Sequence, residues 1–170
     1  MSFKNKIIKS KVLYYFYKKF KIFKSEKFNE HLGEFGEDIF ISRFFKNKLT
    51  GNYVDIGCYH PIKGSLTYNL FQKGWSGMNV DLSKVSIDLF KLSRPKDINI
   101  QAAITDFDGE TFYYENGVIN QQNSLKENSE LKKIPIKALK LSTILKQNNL
   151  KNIDFLNIDV EGFDFKVLST

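Results

Sequence analysis

The 170-residue chain holds one cysteine, three prolines, ten glycines and two histidines. A single thiol excludes a disulfide framework and a cysteine-built zinc site, and it suits a reducing, cytoplasmic compartment. So little proline excludes collagen-like and proline-rich architectures. His31 and His60 have no metal-ligand spacing, so no histidine-built metal site is expected. No uncharged apolar run reaches the about eighteen residues that a membrane-spanning helix requires.

What is present is a core. Apolar residues make up 42% of the chain and aromatics 15%, with sixteen Phe and eight Tyr, so disorder throughout is excluded. The length fits one domain. The formal charge of +7 is concentrated at one end. Residues 1–28 carry nine lysines against Glu26 alone (9 − 1 = +8), while the rest holds 17 basic and 18 acidic residues and sums to −1. A near-neutral body has no phosphate-tracking stripe, so nucleic acid is not an expected partner.

Residues 1–29 read as a basic, aromatic-rich helical lead-in to a domain over 30–170. Apolar residues recur at positions 3, 7, 8, 12, 15 and 16, although the run Leu13–Tyr17 goes right round a helix. Lysines follow the short apolar stretch without a small-residue cleavage site, unlike a signal peptide. Two readings stay open. The helix packs on the domain and exposes its lysines, or it rests on an anionic membrane surface through residues 1–28, making the protein peripherally membrane-associated.

From about Glu34 to Ile104, strands alternate with helical segments, which predicts parallel βαβ units. The predicted elements are a helix opened by Gly36-Glu37-Asp38, a strand Tyr53–Ile56 ended by Gly57, and a helix Ser65–Lys73 closed by Gly74. A strand Met78–Asp81, a helix Lys84–Ser93 and a strand Ile98–Ile104 follow. After a polar stretch, Phe112-Tyr113-Tyr114 reads as an antiparallel insertion. Ile134–Leu139 reads as a strand, Leu141–Gln147 as a helix, and Ile153–Ile158 as a buried, central strand. The chain stops at Leu168-Ser169-Thr170 within a helical pattern, so the expectation is an α/β sheet truncated after its fourth strand.

In open α/β sheets ligands bind at the carboxyl ends of the strands, where a strand-ending Gly57 admits close approach. Asp81 ends the second strand, where an acid accepts hydrogen bonds from ribose hydroxyls. The dinucleotide fingerprint needs glycines where Tyr59 and Ile62 stand, so a pyrophosphate cradle is disfavoured. A nucleoside without phosphates, such as S-adenosylmethionine, makes fewer demands on those positions.

Several blocks in order carry a resemblance: Phe35-Gly36-Glu37-Asp38, Gly51–Pro61, Gly64–Tyr68, Gly74–Asp81, and Asn157-Ile158-Asp159-Val160-Glu161-Gly162-Phe163-Asp164. Together, over residues 34–170, the chain resembles the FkbM-type S-adenosylmethionine-dependent methyltransferases. The resemblance implies a Rossmann-like methyltransferase fold and methyl transfer to a hydroxyl of a sugar or other small-molecule acceptor, glycans included. It implies S-adenosyl-L-methionine as cofactor, bound by Glu37, Asp55, Gly57, Cys58, Asp81, Leu82 and Ala103, with Ala102 and Ile104 near the adenine. The chain departs from the family at Leu66, where an Asn is usual, and at Cys58, often Ala. It also lacks the strands that follow the Asp-Val-Glu-Gly block.

Methylating an alcohol requires removal of its proton. Asp159 and Glu161 are two apart, so in an extended segment both face one side of the strand end. They read as the base, as a metal-holding pair, or as a turn cap and a lysine partner. His60, just past the glycine loop, reads as a substrate contact, an alternative base, or a structural group. Cys58 and Trp75 read as fillers of the core. The rival reading is a non-catalytic Rossmann-like remnant whose basic N-terminal helix contacts membrane or protein.

Overall fold

The computed structural model describes residues 10–25, 32–33, 35–115, 123–160 and 162–170. Helix α1 (Lys11–Ser25) precedes α2 (Glu37–Phe44), β1 (Asn52–Ile56), α3 (Tyr68–Gln72), β2 (Ser76–Asp81), α4 (Lys84–Ser93) and β3 (Ile98–Gln101). Then come β4 (Ala103–Ile104), β5 (Gly109–Glu115), β6 (Lys132–Leu139), α5 (Leu141–Gln147), β7 (Phe155–Ile158) and α6 (Asp164–Leu168). The main sheet has the order β3-β2-β1-β7 with every pair parallel. A smaller sheet, β4-β6-β5, adds the antiparallel pair β5–β6. The fold is α/β and consistent with the Rossmann-like expectation.

The faces of the main sheet differ because side chains alternate along each strand. Val54, Ile56, Met78 and Val80 point into an apolar core with Leu139, Leu141, Ile144 and Val167. The opposite face carries a polar row in register: Asn99, Asn79, Asp55 and Asn157 on four neighbouring strands. Asn79 Nδ2 donates to Asn99 Oδ1 (2.9 Å), and Asn157 Nδ2 donates to Asp55 Oδ1 (2.9 Å). Most of these buried polar atoms are paired, Asn79 Nδ2 also donating to Asp97 Oδ2 (3.1 Å), while Asn79 Oδ1 is buried without a partner.

Three expectations need correction. The segment Ile98–Ile104 is not one strand. Ala102 N still donates to the Asp81 carbonyl (3.2 Å), but β2 ends there, and Ala103–Ile104 turn to pair with β6. Strand β7 is half-buried rather than buried, because it pairs with β1 alone at the sheet edge among the described strands. The helix predicted from Ser65 begins at Tyr68, since Ser65 and Thr67 are held by another group, Arg94.

Helix α1 seats on the body through Tyr14, whose hydroxyl donates to Asp88 of α4 (2.9 Å). Packing on the domain, one of the two readings of this segment, is therefore present. Among the described residues no helix is long and apolar enough to cross a membrane. Trp75 is buried as a core anchor, edge-on to Phe45 at 4.9 Å, with its indole N–H on the Lys48 carbonyl.

Candidate active site

The chain adds β2 and β3 on one side of β1 and β7 on the other, which makes the β1–β7 junction the topological switch point. Ligands of open α/β sheets bind outside the strand carboxyl ends at such a junction. A cavity of about 430 Å³ opens there, within the range of small-molecule sites. Its walls include Gly57 after β1, Asp81 at the end of β2, Asp159 after β7 and Glu37 of α2.

Gly57 is required on two grounds, its own backbone conformation and one close neighbour. Its φ is +81°, and a Cβ at this position would lie 1.9 Å from the Asp159 carbonyl oxygen. The close approach that glycine permits is thus that of the adjacent strand end. Asp159 N in turn donates to the Ile56 carbonyl (2.9 Å), so main chain joins the two strand ends beside the cavity.

Asp55 is buried beneath the cavity. Its Oδ2 accepts from Thr67 Oγ1 and its Oδ1 from Asn157 Nδ2, both at 2.9 Å. Burial raises its pKa against these two bonds, and the nearby Asp159 raises it further. Asp81 accepts from Tyr59 N (2.8 Å) on one oxygen and from Ser83 N (2.7 Å) on the other. One acceptor position per oxygen is then left toward the cavity. Burial pushes Asp81 up to about 6.

The parity of β4 corrects one assignment. Ala102 and Ile104 line the cavity, whereas Ala103 points the other way, into the cluster of Tyr113 and Ile136. Leu82 and Leu125 complete an apolar wall beside Asp81. An aromatic base with a ribose fits this pairing of apolar wall and half-used carboxylate.

His60 lies apart from the cavity lining. It is buried, and its Nδ1 accepts from the backbone of Ile62 and Lys63 at 3.1 Å each. Desolvation, then Lys21, Lys63 and Arg94, lower its pKa to about 4, so at neutral pH it is an uncharged turn cap rather than a base in the site. Cys58 packs with Ile87 and Phe90, and burial drives its thiol pKa up, which makes it a filler. Glu37 lines the cavity and accepts from Phe35 N (3.0 Å). Glu161 and His31 lie outside the described residues. Among those described, no group of three or more His, Cys, Asp or Glu could hold a metal ion.

Two supports were missed from the sequence. Asp38 accepts from Leu32 N and Gly33 N (3.0 Å each) and from Asn69 Nδ2 (3.1 Å), tying residues 32–33 to α2 and α3. Arg94 is 0% exposed. Its guanidinium donates to Thr67 Oγ1 (2.9 Å), Ser65 Oγ (2.9 Å), Tyr53 OH (3.3 Å) and the Pro61 carbonyl, and it lies 4.9 Å from the Phe90 ring centre. Tyr53 OH donates to Asp97, so a buried chain runs Asp97–Tyr53–Arg94–Thr67–Asp55 from the foot of α4 to the cavity floor. With Ser65 and Thr67 turned to Arg94, Leu66 faces the cavity, which gives the family departure a place on the wall.

The polar row did have a signal. Asp55-Ile56-Gly57, Asn79-Val80-Asp81, Asn99-Ile100-Gln101 and Asn157-Ile158-Asp159 repeat one pattern: a polar residue, a β-branched residue, then the last residue of the strand or the one just past it. Arg94, beside Pro95 at a helix end, had none.

Comparison with curated proteins and with solved structures finds no match. The model of the Methyltransferase FkbM domain matches residues 55–170, beginning at the buried Asp55 and spanning the strand ends that frame the cavity. With more than half of its length matched, the chain belongs to the FkbM methyltransferase family.

Proposed function

We propose that the protein is an S-adenosylmethionine-dependent O-methyltransferase acting on a hydroxyl of a small-molecule acceptor, such as a sugar. One observation carries the reading: Asp55, Asp81 and Asp159 converge on one cavity at the switch point of a chain of this family. Asp81, with an acceptor position open on each oxygen, holds the two ribose hydroxyls. Ala102, Ile104, Leu82 and Leu125 flank the adenine. Asp55 stays locked by Thr67 and Asn157 and presents negative charge under the cationic end of the donor. The donor, when bound, supplies an electrophilic methyl group. Asp159, facing the same cavity, accepts the proton of the acceptor hydroxyl, a role typically worth about 10²–10⁴ in rate. Glu161 is the second carboxylate proposed for this step.

The test is calorimetry with S-adenosylmethionine on the wild type and Asp81→Ala. Loss of charge-assisted bonds to ribose should weaken binding roughly ten- to a hundredfold. Affinity should also fall as pH drops below about 6, because protonation removes an acceptor on Asp81. Equal affinity of the two proteins would remove the ribose assignment. No binding by the folded wild type would favour the non-catalytic reading.

A further inference from the structure

Helix α1 turns the wrong side out for a segment that merely packs on a domain. Its inward face is Tyr14, Tyr17, Lys18, Lys21 and Ile22, all partly buried. Its outward face carries Val12, Phe16, Phe20 and Phe23, a stripe at spacings of four, four and three residues that is 55–65% exposed. A soluble helix normally buries that stripe.

The stripe does not end at the helix. Phe16, Phe20 and Phe23 also line an open cleft of about 760 Å³ whose far wall is Ile62, Tyr68, Phe71 and Leu92 of the body. The apolar surface therefore bridges helix and domain, which are also joined by the bond from Tyr14 to Asp88.

Charge identifies the occupant. Helix α1 contains five lysines (11, 18, 19, 21 and 24) and no acid, within a segment of net +8. Lys11, Lys19 and Lys24 are exposed around the aromatic stripe, where long stems can lie along apolar surface with the ammonium in the headgroup layer. A second copy of the same face would bring like charges together. We infer that the outward face of α1, with the adjoining cleft, docks on an anionic lipid surface, the aromatics entering the acyl boundary and the lysines meeting the headgroups.

The full chain should co-sediment with vesicles of phosphatidylcholine containing about 30 mol% phosphatidylserine, and much less with phosphatidylcholine alone. Partitioning should fall steeply as salt is raised. Phe16→Ser with Phe20→Ser should lower it at least about tenfold, and Lys19→Glu with Lys24→Glu by a similar factor. All four positions are solvent-facing, and unchanged circular dichroism would show that the variants fold. Binding that is equal on neutral vesicles, or that survives both double variants, would overturn the inference. So would a concentration-dependent dimer abolished by the Phe variants in a chain that ignores vesicles, which would make a second copy the occupant. The outcome is independent of donor binding, since none of these residues lines the switch-point cavity.

Discussion

The body and α1 invert each other's burial. In the body, Asp38, Asp55, Arg94 and Asp97 are at most 8% exposed, while aliphatic residues fill the opposite face of the sheet. In α1, phenyl rings more than half exposed stand among lysines. The body can bury charge because each charged group meets several fixed donors or acceptors, which offsets desolvation. The helix can expose rings because it is anchored from the other side. Buried charge here holds the loop and strand that floor the cavity, and the exposed aromatic surface is what the proposed lipid docking would cover.

The largest effect should come from breaking the buried side of this contrast. Arg94→Met strips the loop 61–67 of its donors and leaves Asp55 and Asp97 without the cation between them. A loss of about 3–5 kcal/mol is expected in urea unfolding, as for other half-broken buried ionic networks. A loss below about 1 kcal/mol would mean that the loop is held by its own backbone.

The next effect sharpens the contrast through pH. His60 is depressed from 6.5 to about 4, so the unfolded chain binds the proton first and stability falls as pH drops through this window. The window corresponds to about 3 kcal/mol for this group. His60→Asn keeps an acceptor for Ile62 N and Lys63 N but does not titrate. It should flatten the unfolding free energy between pH 6.5 and 4, and an unchanged slope would assign acid sensitivity to other groups. Lys21 of α1 contributes to the depression, so the two regions are electrostatically in touch.

The smallest effect is a predicted near-absence. Phe16→Ser with Phe20→Ser should change unfolding free energy by no more than about 0.5 kcal/mol per site, because solvent-facing rings contribute little to the folded core. A larger loss would show that the stripe serves the fold.

Much of the body was legible in one dimension. Helices Lys84–Ser93 and Leu141–Gln147 have the predicted bounds, and β1, β2 and β6 differ from theirs by two residues at most at the first residue. These segments combine strong periodicity with clear punctuation, such as Gly57 after β1 and Gly74 before β2. The cavity set was legible in part. Asp55, Gly57, Cys58, Asp81, Leu82, Glu37 and Asp159 all line it. Ala103 and His60 do not, since their direction depends on where a strand changes partner and on how a loop folds back. Neither event leaves a trace in local composition.

The sequence by itself determined the α/β class, the family, the carboxylates at the strand ends and the charge imbalance of the first 28 residues. These depend on residue type and spacing along one chain. Tertiary structure alone decided that Arg94 would be sealed beneath the cavity and that β3 and β4 would part at Ala102. It also decided that α1 would turn its phenylalanines outward. Each of these depends on which distant groups compete for the same buried volume or the same hydrogen bonds. Tyr14 meets Asp88 74 residues away, on the face of α1 that is turned to the body, a pairing that no periodicity in the helix itself announces.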